Sequence, residues 1–524
     1  MVGSGTTGKS KCGSSVNNMG ARMHYTDVWF RASGCGLLVV ALAVTGGCGS
    51  PDAADRLAVT DGPLKLVVQG LSSGSSDEKS LVGLVTEVSH WLHYSPRAVV
   101  RAPRRKLAER GNGAASPAAL RDVDYIVWIE LQQESDGFAV LWDLEGVSDR
   151  SSLTSEDRRP VRGSLPELPR EIAKVVLDEL GVENHGASSP ESRAAADPAA
   201  YEEFLKLLAT PNGGNETTLR QRVEALEELQ SRLGSYAPAA TALGTAYLDL
   251  AGLVGGLGPY YEKATHALAY AFDLDSGYPP ARAKLASLFA KLGRSEEAIE
   301  LLVNGLATHP NYPAFHETLG YVLRYSGLME ESMASYRRGQ KLDSSLTNMV
   351  STQDQITKSL IYLGKYDAAL ASHEQMISFL KELGRAPNEK QWFYEGVIHL
   401  YLEDRASAVR AFRAGARVEP ESVWTTFGRG YEAIALEDGV QVETVLEQLE
   451  HREVVDGERH YRLVHFATFA GHPDRALDHL RIAVEGGFFN APYFERDPWL
   501  ASLRPSPRFR ELLDSAQARH EAVR

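Results

Sequence analysis

Few runs of residues in this chain have the types and spacing that chemistry needs. Gly3–Ser10 reads GSGTTGKS and satisfies the G-x-x-x-x-G-K-S pattern of a phosphate-cradling loop. That loop works only between a buried strand and a helix, because backbone amides and the lysine must converge on one phosphate. Two residues precede Gly3, and the KCGSSVNNMG that follows Lys9-Ser10 has no helical pattern, so the match is a decoy. His465, His472 and His479 recur seven apart, yet Gly471 and Pro473 interrupt any helix that could carry all three, and no metal site is expected. No H-E-x-x-H, G-x-S-x-G, C-x-x-C or kinase signature occurs. Asp/Glu pairs are plentiful, but they lie on helix faces where solvated charge is expected. An enzyme has no feature in its favour, with no catalytic residue, cofactor or metal expected. What remains is recognition, by aromatic and cationic side chains concentrated in the second half of the chain.

The three cysteines are Cys12, Cys35 and Cys48, so the folded body can hold no disulfide framework, cysteine-rich zinc site or thiol nucleophile. Cys48 ends a short apolar run, GCGLLVVALAVTGG at 34–47, which follows Arg31. At about 14 residues the run is roughly 21 Å long as a helix, short of the ~30 Å a bilayer requires. A positive flank, a short apolar core and small residues before a break describe an export signal, with Met19 or Met23 as alternative starts. With Thr45-Gly46-Gly47 before Cys48, it resembles a bacterial lipoprotein signal peptide. The resemblance implies lipidation of Cys48, cleavage before it and a stable lipid anchor. By the same resemblance, Gly49 in place of an aspartate implies the outer membrane, facing the periplasm or the cell surface.

A net charge of −14 makes nucleic acid a poor partner, since the surface repels phosphates. A length of 524 residues with 43% hydrophobic and 24% charged content fits several folded domains.

The repeats organise the body. Pro279–Leu346 contains two units that superpose at a 34-residue shift: Leu285 on Leu319, Ala286 on Gly320, Gly293 on Gly327, Ala298 on Ser332, Leu302 on Tyr336 and Gly305 on Gly339. Small residues let two antiparallel helices approach, Leu302 and Tyr336 fill the space behind them, and Gly293 and Gly327 end the first helix in the left-handed region. The residue that opens each second helix recurs as Ala264, Ala298, Ser332, Ala369, Ala408, Val442 and Ala476, with gaps of 34 to 39. Val464 departs from the pattern, and Ala251–Pro259 inserts roughly eight residues. The array resembles the tetratricopeptide repeat family. That resemblance implies a solenoid over 201–485 whose first helices line a concave face. Residues facing inward are then Tyr321, Arg324, Phe393, Trp424, Phe427, Tyr431, Arg462 and His465, with Glu317, Asp354, Lys358 and Val397 among their neighbours. Trp, Tyr and Arg are common binding anchors, so these eight are the candidate partner-binding residues. Packing inside the repeats is the competing reading of the same aromatics.

Ahead of the array, strands are expected at 64–71, 98–103, 124–133 and 137–147, and helices at 80–94, 117–122 and 165–182. This β-α-β-α-β-β-α order is a small α/β sandwich with helices on one side of a mixed sheet. DVDYIVWIEL, LPREIAKVVLDELGV and the DPAAYEEFLKLL junction resemble the TolB-like amino-terminal domain, which implies an interaction or envelope-assembly role and supplies no catalytic residues. The fold class is thus α+β multidomain, the sandwich followed by an all-α solenoid. Its segments are a signal peptide at 1–47, a tether at 48–61, the α/β domain at 62–185, a linker at 186–200, the repeats at 201–485 and a cap at 486–524. The expected function is a membrane-anchored protein-interaction scaffold of the bacterial cell envelope that takes a protein or peptide partner. The alternative is a ligand-sensing or regulatory subunit that uses the α/β domain.

Overall fold

A computed structural model describes residues 63–71, 78–101, 122–135, 137–147, 160–182, 197–210, 216–254, 259–451 and 456–524. The expected signal segment, Cys48, the tether, nearly all of the 117–122 helix and most of the linker lie outside them. Among the described residues no helix is long and apolar enough to cross a membrane.

Five strands form one mixed sheet in the order β2-β1-β3-β4-β5, with β1 at Leu64–Gly70, β2 at Ala98–Arg101, β3 at Tyr125–Glu134, β4 at Gly137–Gly146 and β5 at Val161–Gly163. β1 runs parallel to β2 and β3, while β3 and β4 make a hairpin that closes on Glu134 opposite Gly137. β5, only three residues long, was not expected from the sequence. Helices α1 (Glu78–Leu92) and α2 (Leu168–Glu179) pack on the sheet, and the α1 stripe Leu81, Leu84, Val85, Val88 and Leu92 is fully buried. Helix α3 (Pro198–Leu208), capped by the Asp197 carboxylate, crosses α1 so closely that a Cβ on Gly83 would stand 2.2 Å from the Leu205 carbonyl oxygen. Helix α4 (Glu216–Leu233) joins this layer to the array.

Seven helical pairs follow: α5 (Ala237–Val254) with α6 (Pro259–Leu274), α7 (Pro279–Lys291) with α8 (Ser295–Thr308), α9 (Pro313–Tyr325) with α10 (Met329–Leu342), and α11 (Leu346–Tyr362) with α12 (Tyr366–Glu382). Then come α13 (Glu389–Tyr401) with α14 (Arg405–Val418), α15 (Val423–Ala435) with α16 (Gly439–Glu450), and α17 (Gly457–Phe469) with α18 (Pro473–Glu485). All seven positions from Ala264 to Ala476 fall on second helices and are fully buried. Gly320 shows why the period needs a small residue: a Cβ there would meet the Tyr336 ring at 2.8 Å. Gly293 and Gly327 end α7 and α9 with φ of 75° and 87°, as the spacing predicts. Part of the Ala251–Pro259 insertion lengthens α5.

The last segment holds α19 (Ala491–Arg496), a 3₁₀ turn (Pro498–Leu500) and α20 (Pro507–Val523). It does more than cover the last pair. The array curves until α9 meets α17, and residues 486–500 lie among the carboxyl ends of its first helices. Among the described residues two large apolar cores result, one joining the sheet layer to α3–α7 and the other running from α9 to α20, with smaller clusters around Tyr278 and Tyr336.

Candidate functional site: the inner face of the helical array

The first helices of the pairs supply the inner face, and closure of the array decides what happens to it. The structure brings the eight expected residues together, but buries six of them. Phe393, Phe427, Tyr431, Arg324, Arg462 and His465 are each 2% exposed or less, so they do not line an open groove. The physical reason is that side chains from α9, α11, α13, α15 and α17 converge on one centre, with the chain's last segment filling the rest. Phe393 is the hub, its ring 5.3 Å from Trp424, 5.7 Å from Tyr431 and 6.3 Å from Phe427, with the Arg462 guanidinium 5.2 Å above it. For these rings packing is the role the geometry gives. Trp424 and Tyr321 are half-buried. Cys48 lies outside the described residues.

The centre is charged. Arg324 on α9 donates to Glu458 on α17 at 2.9 Å, and the Tyr362 hydroxyl bonds the same carboxylate. Arg462 stands 3.7 Å from Glu458 and donates to the Tyr362 hydroxyl at 3.2 Å. Burial alone would raise the Glu458 carboxyl, but Arg324, Arg462 and Lys358 outweigh it and hold it far below the usual range. Lys358 bonds Asp354 at 2.6 Å, yet burial brings its amine down to about 7. Replacing Glu458 would leave two buried guanidiniums without a counterion, the costly way to break a buried pair.

His465 belongs to a second group. Its Nδ1 meets the Tyr431 hydroxyl at 2.8 Å and its Nε2 meets Asp497 at 2.9 Å, while the Tyr461 hydroxyl donates to Asp497 at 2.7 Å. His472 and His479 pair instead with Glu443 and Glu450, so the three evenly spaced histidines share no site. No group of three metal-ligating side chains occurs among the described residues.

Sequence reasoning missed Glu458, Tyr362, Lys390, Arg459 and Lys291. Glu458 stands in the first turn of α17, where an acid is ordinary helix chemistry, and its partner is 134 residues away. The aromatic density of 486–516 was the one available signal that this segment reaches the site.

Residues 261–320 match the tetratricopeptide repeat family model, and the hairpins on either side continue that architecture. No curated protein matches the chain. Among solved structures it is similar to the APC/C hetero-tetramer Cut9-Hcn1, with a TM-score of 0.41 and 12% identity over 63% of this chain and 61% of that one. A tetratricopeptide repeat protein from Parabacteroides merdae gives 0.34 and 12%, over 54% and 98%. Yeast Tom70 gives 0.35 and 11%, over 64% and 66%. The chain thus spans less than two thirds of the first and the third.

Proposed function

We propose that this chain is a lipid-anchored scaffold of the bacterial cell envelope, holding a protein partner on the inner face of its tetratricopeptide-type array. One observation carries the reading. Trp424 is only half-buried among the fully buried rings of Phe393, Phe427 and Tyr431, and two cations, Lys390 and Arg459, lie 5.3 and 5.4 Å from its ring centre. A rigid aromatic anchor flanked by cations loses little conformational freedom on binding, which is why such residues dominate interface energetics. The scaffold acts by binding and carries out no catalysis. Its α/β layer is a TolB-like domain, and Cys48 carries the lipid.

A photoreactive aromatic residue at Trp424 should capture a membrane-associated protein that the same residue at the exposed Val440 does not. Capture from Val440 alone overturns the inner-face assignment. Incorporation of a fatty-acid analogue should vanish in Cys48→Ala and in globomycin-treated cells, and persistent labelling in the variant removes the anchor.

A second reading, ligand sensing, has its own observation. A cleft of about 290 Å³ lies between α1 and helices α3, α4, α5 and α7, lined by Glu87, His90, Arg222, Tyr278 and Lys284. Clefts between packed layers are common ligand sites. A metabolite that raises the melting temperature of the full chain, but not of a Lys284→Glu variant, would favour it.

A further inference from the structure

The accessible cations of the inner face come from helices far apart in the chain. Lys291 ends α7, Lys390 opens α13 and Arg459 lies in the first turn of α17. They become neighbours only because the array closes on itself. Lys291 stands 5.6 Å from the Tyr321 ring centre, as Lys390 and Arg459 stand over Trp424, so two aromatic planes are edged by three half-buried cations. Beneath lie Arg324, Lys358 and Arg462.

Against these six cations the same region offers four acids, Glu458, Asp354, Asp456 and Asp249; Asp249 is shared by Lys291 with Lys284 and Arg222, and the other three are already engaged. Glu458 holds Arg324, Asp354 bonds Lys358 with Lys390 4.0 Å away, and Asp456 caps α17 while accepting from the Tyr325 hydroxyl at 3.0 Å. Lys291 and Arg459 form no ion pair among the described residues. Farther along the face Lys284 and Glu317 offset each other. An excess of positive charge therefore sits inside a chain whose net charge is −14, and low-dielectric walls focus its field on whatever enters. Burial, opposed by Asp456 and Glu458 but aided by Arg459 and Lys390, keeps the Lys291 amine below the ordinary lysine range. The acidic remainder of the surface repels a long polyanion such as nucleic acid, but a short acidic segment can reach the mouth.

We propose that the mouth formed by Lys291, Lys390 and Arg459 receives an acidic segment of the partner protein, its carboxylates on the three cations and an apolar side chain against Trp424. The proposal rests on the inner-face reading above and names the chemistry of the partner.

The test uses the full chain and a fluorescent peptide of about ten residues mixing Glu, Asp and Leu, with a matched Lys peptide as control. The acidic peptide should bind and the Lys peptide should not. Affinity should fall about tenfold on raising salt from about 50 to about 300 mM, and by about tenfold in Lys390→Gln/Arg459→Gln. Where that pair fails to fold, the single Lys291→Gln should show a smaller loss in the same direction. Absence of acidic-peptide binding overturns the proposal, as does unchanged affinity in a folded variant. So does equal displacement by inorganic pyrophosphate, which would mark a site for a free anion only. A protein captured at Trp424 whose capture ignores the double variant overturns the acidic partner and leaves the inner-face reading standing. Capture that shifts to Val440 removes that reading itself.

Discussion

Two segments outside the repeats dock on opposite ends of the same first helices, and they do so with different chemistry. The α/β layer meets the amino ends. Tyr236, Tyr278 and Tyr312 stand just before α5, α7 and α9, and α1 with the turn after it lies across them. The Tyr236 hydroxyl bonds Glu87, the Tyr278 hydroxyl meets His90 at 3.0 Å, and the Tyr312 ring packs edge-on against His93 at 4.8 Å. Pro279 and Pro313 open their helices, so those ends have fewer free N–H groups to satisfy, and side-chain contacts suffice. The last segment meets the carboxyl ends, where free carbonyls require donors. It supplies them: the Phe489 amide to Tyr325 at 3.1 Å, Arg496 to Tyr362, Arg519 to Gly293 at 2.5 Å and His520 to Ser326 at 2.7 Å. Cationic donors also suit the negative end of the helix dipole. The amino-end seam is a set of tyrosines with the period of the repeat, whereas the carboxyl-end clasp is a set of donors with no period.

The sharpest way to break the clasp is Asp497→Ala. Asp497 is fully buried and accepts from Tyr461, His465 and the Trp499 amide. Its loss leaves buried donors without an acceptor and should cost about 3–5 kcal/mol. Urea unfolding measures this, and limited proteolysis should cut first after residue 485. A loss under about 1 kcal/mol would show that the aromatic packing holds the segment without the carboxylate. Gly293→Ala tests the same contact from the array side. The backbone is left-handed there, and a Cβ would stand 2.4 Å from the Glu485 carbonyl oxygen. Strain and overpacking together should cost about 2–4 kcal/mol.

Acid should separate the two docking regions. Burial lowers His93 to about 3, and His309 beside it is lowered for the same reason, with His90 and Arg282 adding like charge. His93 is neutral when folded but titrates near 6.5 when unfolded, and His309 is shifted in the same direction, so the seam's contribution is full above pH 6.5 and declines as pH falls below it. In the clasp, burial opposes ionisation of Asp497, but His465 and Tyr461 keep its carboxyl below the ordinary range. Its contribution is lost only below the unfolded carboxylate range near pH 4. Between pH 7 and 5, hydrogen exchange corrected for its intrinsic rate should quicken in α1 while 486–500 stays protected. Loosening in the reverse order would refute the assignment.

The hairpins were legible because their cause is local. Gly320 and Tyr336 belong to one pair, and the requirement for a small residue opposite a large one recurs with every pair. Closure was not legible, since Arg324–Glu458 and Tyr401–Tyr493 join residues whose separations share no period with the repeat. The aromatics of α13 and α15 therefore read equally well as groove or core, and only their burial decides. Tyr278 and Tyr312 do repeat at 34 residues, but the period cannot name the helix that docks on them.

The smallest expected effect concerns the turn positions that follow the first helices. The turn between paired helices is held with positive φ by Gly293, Gly327, Gly364 and Gly471, but by Glu403 (61°) and Glu437 (60°) in the fifth and sixth pairs. Around Gly364 and Gly471 a Cβ meets at most a side-chain hydroxyl at 4.0 Å, so only backbone conformation selects glycine there. Glu403→Gly should relieve the left-handed strain while adding freedom to the unfolded chain, for a net gain of about 0.5 kcal/mol. Glu437 differs because it pairs with Arg405 at 2.5 Å on an exposed surface, and losing that pair should leave Glu437→Gly near zero. Paired melting curves measure both. A gain at 403, set against a loss at Gly293→Ala, would show that one turn position is chosen for conformation alone in one half of the array and for conformation and contact in the other. Equal losses at 403 and 293 would mean that both turn positions are held alike, and that close packing against the Glu485 carbonyl adds nothing at 293.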